Sequence, residues 1–286
     1  MRYVLAVLLV SLLPANAFKG SVVLNFRHHP LVRARRSERT ANQRLRDLRC
    51  RDATSPLIEA TACRILRHVL QHGDKAHISC SVKSNALQLV RGRLEGASIN
   101  GRRWTSRLGL TAREVSVDVG EVILNIRSLF HKRLLEFTRP PSGKAQVVFD
   151  EQDFGNFLVH PLVHKTDIGG HALVFEKDQV RIDPGARSIK FGARWKDCEV
   201  AIELKQCKGR LSAGVAKERG LTSKEAQKLA DGVTQYFNTL QIDLDGPVLS
   251  FASMSFIGVG TVEGSVRLGL DIVVKRFPSV RSVAMF

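Results

Sequence analysis

The sequence predicts an α+β domain built on a large antiparallel β-sheet that curls around a helix. Apolar residues alternate with polar ones in many short segments, and Gly, Asn or Pro bound most of these segments. Helical patterns are few and do not alternate with the strands, so a parallel βαβ sheet is not expected. Segments such as "VVF" and "ALVF" are apolar at nearly every position, which predicts strands covered on both faces.

Three segments have helical periodicity. Residues 55–70, "SPLIEATACRILRHVL", start with a serine N-cap and a proline in the first turn. In "FDEQDFGNFLVHP", Asp150 is the predicted N-cap of a short helix and Asp153 lies at its third position. The longest predicted helix covers residues 222–239 and starts with the capping box "TSKE".

The other segments have the period of two that is typical of strands. About nine or ten strands are predicted, centred on residues 78–82, 94–99, 115–126, 145–149, 172–183, 187–195, 198–207, 241–246, 248–258 and 261–274. Cys198 and Cys207 stand at opposite ends of one strand, roughly 30 Å apart. This separation is too long for a disulfide, so we expect reduced thiols that are buried in the fold.

The start of the chain has the pattern of a targeting leader. Residues 1–17 contain Arg2, an apolar run and the small-residue motif "ANA" just before Phe18, as secretory signal peptides do. Residues 18–52 are rich in arginine and poor in acids, which is typical of a transit peptide. The order resembles the bipartite leader of plastid proteins in algae with secondary plastids. We therefore expect a plastid protein with one folded domain, residues 53–286; a secreted protein with a basic tail is the alternative.

The formal net charge is +17, which is typical of proteins that bind nucleic acids or anionic membranes. The first fifty residues contain ten Lys or Arg and two acids, so nearly half of this charge belongs to the predicted leader. Aromatic residues make up 6% of the chain and do not interleave with basic residues as in RNA-binding modules. Nucleic-acid binding is therefore an alternative and not the expectation.

No sequence motif predicts catalysis. The glycine motifs of nucleotide sites and the nucleophile-elbow motif do not occur in a fitting context. His160, His164 and His171 lie close together, but a proline interrupts the first pair and surface-loop histidines are expected. Asp243 and Asp245 share one face of a strand, as glycosidase carboxylates can, although solvated acids are commoner. We expect no enzyme, no metal and no cofactor; an enzyme of lipid or glycan metabolism that uses these residues is the alternative.

The middle of the chain resembles a known family. "LQLVRGRLEGASINGRRW" is followed by "LTAREVSVDVGEVILNIRSLF" and then by "GKAQVVFDEQDFGNFL". This order of segments resembles the LmeA-like phospholipid-binding family over roughly residues 53–277, most clearly in residues 87–158. Its members have an acidic helix start in which Asn directly follows an apolar residue. Here Phe154 and Asn156 match, and Gly155 comes between them.

The resemblance implies a fold similar to tubular lipid-binding (TULIP) domains: a large, curved antiparallel β-sheet wrapped around a long helix, with an apolar groove for acyl chains. It also implies a non-enzymatic protein that binds or transfers a phospholipid or glycolipid at an anionic membrane surface. Acyl chains gain ~0.8 kcal/mol per buried methylene, and each nearby Lys or Arg contributes about 1 kcal/mol at an anionic surface.

Six residues are the candidate lipid contacts. The predicted groove wall consists of Phe130, Phe149, Phe154 and Phe157. The predicted headgroup contacts are Lys132 and Arg133, which follow the apolar run "SLF".

Overall fold

The computed structural model describes residues 77–276, except 85, 107–108, 133–135, 164–165, 208, 219, 245 and 259–263, together with residues 59, 60 and 63. The predicted leader, residues 1–52, and most of the predicted first helix lie outside the described residues. Glu59, Ala60 and Cys63 are in helical conformation.

The described chain is mostly antiparallel β-sheet, curled into a half-barrel, with few helices. The four helices with described bounds are α1 (Ala86–Val90), α2 (Ile126–Lys132), α3 (Glu151–Leu158) and α4 (Ser223–Thr239). The strands are β1 (His77–Lys83), β2 (Arg93–Leu94), β3 (Gly96–Thr105), β4 (Thr111–Val119), β5 (Val122–Ile123), β6 (Ser142–Phe149), β7 (Thr166–Ile168), β8 (His171–Asp183), β9 (Ser188–Trp195), β10 (Cys198–Cys207), β11 (Arg210–Glu218), β12 (Gln241–Asp243), β13 (Pro247–Ile257) and β14 (Ser265–Val274). The predicted class, α+β with a curved antiparallel sheet, is confirmed.

The strands form two large sheets and not the single sheet that the sequence predicts. Seven strands pair in the order β1-β3-β4-β6-β14-β13-β12, and five pair in the order β11-β10-β9-β8-β7. β2 and β5 form a separate two-stranded sheet. The five-stranded sheet is inserted in the chain between β6 and β12, and both large sheets contribute to one hydrophobic core. Strand pairing partners that are distant in the chain are not visible in local periodicity, which explains the difference.

The expectation that segments apolar at nearly every position are covered on both faces is wrong for "ALVF", in which Val174 is 55% exposed, but not for "VVF". Each large sheet buries one face and leaves the other polar. In the seven-stranded sheet, Ile99 and Val117 are buried, whereas Asn100 and Ser116 on the opposite face hydrogen-bond to each other at 2.8 Å. The apolar run "VVF" is a local exception because it lies at the end of β6, where all three of its residues are buried.

The predicted caps of α3 and α4 are confirmed, and the described cysteines are free as expected, but the expectation that they are buried is wrong, since three are half-buried and Cys207 is exposed. Capping boxes start both α3 and α4, formed by Asp150 with Asp153 and by Thr222 with Glu225. The cysteines described as free thiols are Cys63, Cys80, Cys198 and Cys207.

Helix α4 covers the free edge of the five-stranded sheet. The backbone N–H of Leu211 in β11 donates to Asn238 Oδ1 at 3.0 Å, and Asn238 Nδ2 donates back to the Leu211 carbonyl at 2.7 Å. The N–H of Ala213 donates to Thr234 Oγ1 at 2.8 Å. Unpaired strand edges invite pairing with other chains, and these side chains occupy the edge. One face of α4 is buried, with Leu229, Ala230, Val233 and Phe237.

Helix α3 joins the two sheets through aromatic rings. The Phe154 ring centroid lies 6.2 Å from that of Phe149 in β6 and 6.4 Å from that of Phe191 in β9. Phe191 in turn contacts Phe237 of α4 at 6.0 Å. All four rings are at least nine-tenths buried. Rings at these distances interact favourably beyond their area burial, so α3 holds β6, β9 and α4 in one core.

Polar side chains fix the same helix to both sheets. The Asp150 carboxylate accepts from Arg113 Nε of β4 at 3.0 Å, and Asn156 Nδ2 donates to Thr111 Oγ1 at 2.8 Å. On the other side, Glu151 Oε1 accepts from the N–H of Ile182 at the end of β8 at 3.0 Å. α3 is therefore oriented at both ends.

Gly155, which departs from the family pattern, is required by close packing. A Cβ atom at this position would lie 2.2 Å from the carbonyl oxygen of Lys177. Lys177 belongs to the irregular part of β8, where the register with β9 shifts between Glu176 and Arg181. Since the neighbouring atom is backbone, it cannot move aside as a flexible side chain can.

We expect Gly155→Ala to lower the free energy of unfolding by about 1–3 kcal/mol because the overpacked methyl group outweighs the better helix propensity of alanine. Urea unfolding followed by circular dichroism measures this change. Gly214→Ala is the matched control, because a Cβ at Gly214 meets no heavy atom within 4 Å. Equal stability of both variants would contradict the close-packing argument.

Candidate functional site

The phenylalanines predicted for the groove wall lie in the aromatic core. Phe149 and Phe157 are stacked with ring centroids 5.4 Å apart, and Phe154 lies 5.7 Å from Phe157. The exposed fraction is 3% for Phe149, 1% for Phe154 and 9% for Phe157. The three rings therefore contact one another, and their role as a lipid-binding wall stays a prediction. Phe130 is in α2, and its side chain lies outside the description.

Helix α2, which ends at Lys132, belongs to one end of the seven-stranded sheet, which we call the basic end. It consists of the β1–β3 connection (residues 84–95), the β4–β6 connection (residues 120–141) and residues 275–276. The strand register brings them together: Lys83 pairs with Gly96, and Val119 pairs with both Ala97 and Gly143.

Helix α1 exposes two large aliphatic side chains at the basic end. Leu87 is 61% exposed and Val90 is 78% exposed. Large apolar side chains with this exposure are few among the described residues. They lie three positions apart and therefore on one side of the helical turn.

The backbone around α1 is held in place. The carbonyl of Gly92 accepts from the N–H of Leu124 at 2.8 Å. Gly92 has a φ of 72°, which favours glycine, and a Cβ there would lie 2.5 Å from Ile126 Cδ1. Below α1, Leu94 pairs with Val122 in the small β2–β5 sheet, and both side chains are buried. The exposed aliphatic residues thus project from a fixed support.

Helix α2 is fixed beside it. The N–H of Ser128 donates to Asn125 Oδ1 at 3.0 Å at the start of the helix. Ser128 Oγ, which is buried, donates to Glu136 Oε2 at 2.5 Å, and the N–H of Asn125 donates to the Glu136 carbonyl at 2.8 Å. These bonds close the loop that carries Lys132 and Arg133.

Basic side chains outnumber acids at the basic end. Its three segments contain eight Lys or Arg and three Glu in their sequence. Glu121 binds both Arg93 and Arg139, and the hydrogen bond from Arg93 is the main reason that its pKa is lowered. Arg91 and Arg127 are exposed and have no ion pair with another described residue. Exposed aliphatic residues beside unpaired arginines can contact an apolar–anionic boundary.

Of the two predicted headgroup contacts, the structure describes only the backbone of Lys132. Lys132 is the last residue of α2, and its side chain lies outside the description; Arg133 is outside the described residues altogether. Sequence reasoning missed Leu87, Val90 and Arg91. The segment "NALQLVRGR" places aliphatic residues beside two arginines, but this pattern does not tell an exposed aliphatic residue from a buried one.

The alternative catalytic residues do not form a site in the described part of the chain. The expectation that His160 is a surface residue is wrong: it is 6% exposed, and its Nδ1 accepts from the N–H of Leu162 at 3.4 Å. His171 is exposed and has an edge contact to Trp195. Asp243 is exposed on β12, whereas His164 and Asp245 are not described. No group of three or more potential metal ligands occurs among the described residues.

A shallow cavity of about 510 Å³ lies on the polar face of the seven-stranded sheet. Its polar lining residues are His77, Ser79, Asn100, Arg102, Glu114, Ser116, Gln146 and Arg267. Arg102 and Glu114 pair at 3.2 Å and offset each other's charge. The lining contains no phenylalanine, tyrosine or tryptophan on which a sugar or base could stack.

Comparisons of the chain with known protein families, with curated proteins and with solved structures found no match. In the described part of the chain, no helix combines the length and apolar character needed to cross a membrane.

Asp153 lies at the start of α3, and burial raises the pKa of its carboxyl group. Its desolvation is the largest cause, opposed by hydrogen bonds such as that with Thr111. A raised pKa in the folded state means that the protein loses stability as pH rises from the ordinary aspartate value, about 4, through the raised value.

We expect the stability of Asp153→Asn, measured relative to the unchanged protein, to be greater at pH 7 than at about pH 4. The reason is that asparagine keeps an acceptor for the cap but has no ionised form. Urea unfolding of both proteins at the two pH values measures this difference. Glu136→Gln serves as the comparison carboxyl substitution. A stability difference that does not change with pH would contradict the assigned cause.

Proposed function

We propose that this protein binds the surface of anionic membranes through the basic end, as a non-enzymatic phospholipid- or glycolipid-binding protein. The observation that carries the proposal is the exposure of Leu87 and Val90 on a fixed helical turn, beside Arg91 and Arg127, which have no ion pair with another described residue. Most of the surface of these aliphatic side chains stays in water in the folded protein, whereas its burial at a membrane interface is favourable.

The magnitudes are sufficient for reversible binding. Full burial of a leucine or valine side chain contributes about 1.5–3 kcal/mol, and interfacial insertion realises part of it. Each arginine near an anionic leaflet contributes about 1 kcal/mol. Arg91 and Arg127, added to two aliphatic side chains, would therefore give about 4 kcal/mol or more. Lys132 and Arg133 extend the same basic segment, and the proposal keeps them as headgroup contacts.

The finer elements of the proposal come from the resemblance to LmeA-like proteins. They are a tubular lipid-binding architecture in which the curved sheet wraps the long helix α4, a plastid location, and an acyl-chain groove bordered by Phe130, Phe149, Phe154 and Phe157. Because Phe149, Phe154 and Phe157 pack against one another, an acyl chain between them would have to separate these rings. Contact at the membrane surface needs no such rearrangement.

Vesicle co-sedimentation tests the role of the aliphatic residues. We expect Leu87→Asn/Val90→Asn to weaken binding to vesicles of phosphatidylcholine with phosphatidylglycerol by about tenfold or more, because the variant loses the inserted apolar area. Val174→Asn is the matched control: Val174 is 55% exposed and lies on the outer face of the five-stranded sheet. Equal weakening by both variants would refute insertion at α1.

The same assay tests the role of the arginines. Arg91→Gln should weaken binding about fivefold at low salt and less at high salt, since screening shortens the range of the attraction. Binding to pure phosphatidylcholine vesicles should change little. Arg194→Gln is the control, because Arg194 lies directly opposite Val174 in the β8–β9 pair, away from the basic end. A vesicle affinity that changes neither with lipid charge nor with salt concentration would contradict the proposal.

A further inference from the structure

We propose that β13 forms the contact between two copies of this chain, by antiparallel pairing of its free edge across a twofold axis. β12 covers β13 only at residues 248–250. From Phe251 to Ile257, β13 pairs with β14 on one side and with no described strand on the other. None of these residues has a further hydrogen bond or ion pair.

The other described edges differ from this one. Asn238 and Thr234 cover β11, and Glu59 Oε1 accepts from the N–H of Val82 at the edge of β1 at 2.8 Å. At β7, Trp195 Nε1 donates to the carbonyl of Ile168 at 3.1 Å. Native proteins also protect edges with charges or proline. Residues 251–257, "FASMSFI", contain neither.

The exposure pattern of this edge fits an extended partner. Ala252, Ser253 and Ser255 are exposed, and Ile257 is 36% exposed. Phe251 and Phe256 are half-buried at the margin of the core. A strand added here would continue the hydrogen-bonding ladder over roughly 24 Å and cover both rings.

The sequence of the edge is complementary to itself. Antiparallel pairing centred on Met254 places Ser253 opposite Ser255 of the second copy and Met254 opposite its own equivalent. Ser255 lies on the polar face, opposite Arg267, and Met254 lies on the buried face, opposite Leu268. In this register Ala252 meets Phe256 and Phe251 meets Ile257 of the second copy, and the twofold axis repeats each of these contacts.

Charge restricts where a second copy can bind. The chain carries a formal net charge of +17, so two copies repel each other unless the contact itself is free of charge. β13 has no charged residue over its whole length, Pro247–Ile257. It therefore offers a contact at which like charges do not face each other.

Sedimentation velocity of the purified full chain tests the contact. We expect a concentration-dependent dimer. Ser253→Lys/Ser255→Lys should raise the dimer dissociation constant about tenfold or more, because each new lysine stands opposite a lysine of the second copy. Ser253→Lys/Ser255→Glu should restore dimerisation, because the same positions then carry opposite charges.

The matched control is Ser79→Lys/Ser81→Lys. These serines are also two apart, exposed and on the polar face of the same sheet, but on β1, and the dimer should be unchanged. A chain that stays monomeric at about 0.1 mM, or a dimer that withstands the two lysines in β13, would overturn the proposal. A lysine–glutamate variant as weak as the lysine–lysine variant would overturn the Met254-centred register.

Hydrogen exchange on the unchanged protein supplies a readout that needs no substitution. Backbone amides of residues 251–257 should become more protected as the concentration rises through the dimer transition, while those of β1 do not. Equal protection at all concentrations would contradict pairing at β13.

Discussion

The contact of Phe154 with Phe149 on one side and Phe191 on the other is the interaction on which the rest of the fold depends. It joins two sheets that share no strand and that are connected in the chain only through α3 and through the segment that leads from β11 to β12. Because the burial of apolar surface is non-directional, the hydrogen bonds of Asp150, Asn156 and Glu151 add the directional contacts that orient the helix. Gly155 then sets how closely α3 approaches β8.

This central packing leaves the functional surfaces at the periphery. The buried aromatic core supports β4 and β6, and the connections at the ends of these strands carry the basic end. A rigid sheet beneath hydrogen-bonded connections allows aliphatic side chains to remain exposed without collapse onto the core. The proposed membrane contact and the proposed dimer contact use different surfaces, the first at the end of the sheet and the second along its edge, and they can be tested separately.

The distribution of charge separates these two surfaces. At the basic end, basic residues outnumber acidic ones. On the outer face of the five-stranded sheet, Lys190 and Lys205 both lie near Glu203. They lower the pKa of Glu203, chiefly through the hydrogen bond from Lys205. The charges around Val174, an exposed aliphatic residue on that face, are therefore more nearly balanced. The same kind of side chain has different consequences at α1 and at Val174 because its charged neighbours differ.

The sequence by itself determined the local elements. Period-two alternation marked the strands, and the pairs Asp150–Asp153 and Thr222–Glu225 marked two helix starts, because caps and periodicity depend on residues within a few positions of each other. It also identified Cys198 and Cys207 as the ends of one strand and therefore as unable to form a disulfide with each other.

Only the tertiary structure decided which strands share a sheet, which phenylalanines contact one another, and which edges are covered. These outcomes depend on residues far apart in the chain, such as Thr111 with Asn156 or Leu211 with Asn238. For the same reason periodicity did not reveal that Leu87 and Val90 are exposed or that His160 is buried. An apolar residue in a strand-like pattern is as often in a core as on a surface, and only the packing of neighbouring elements distinguishes the two.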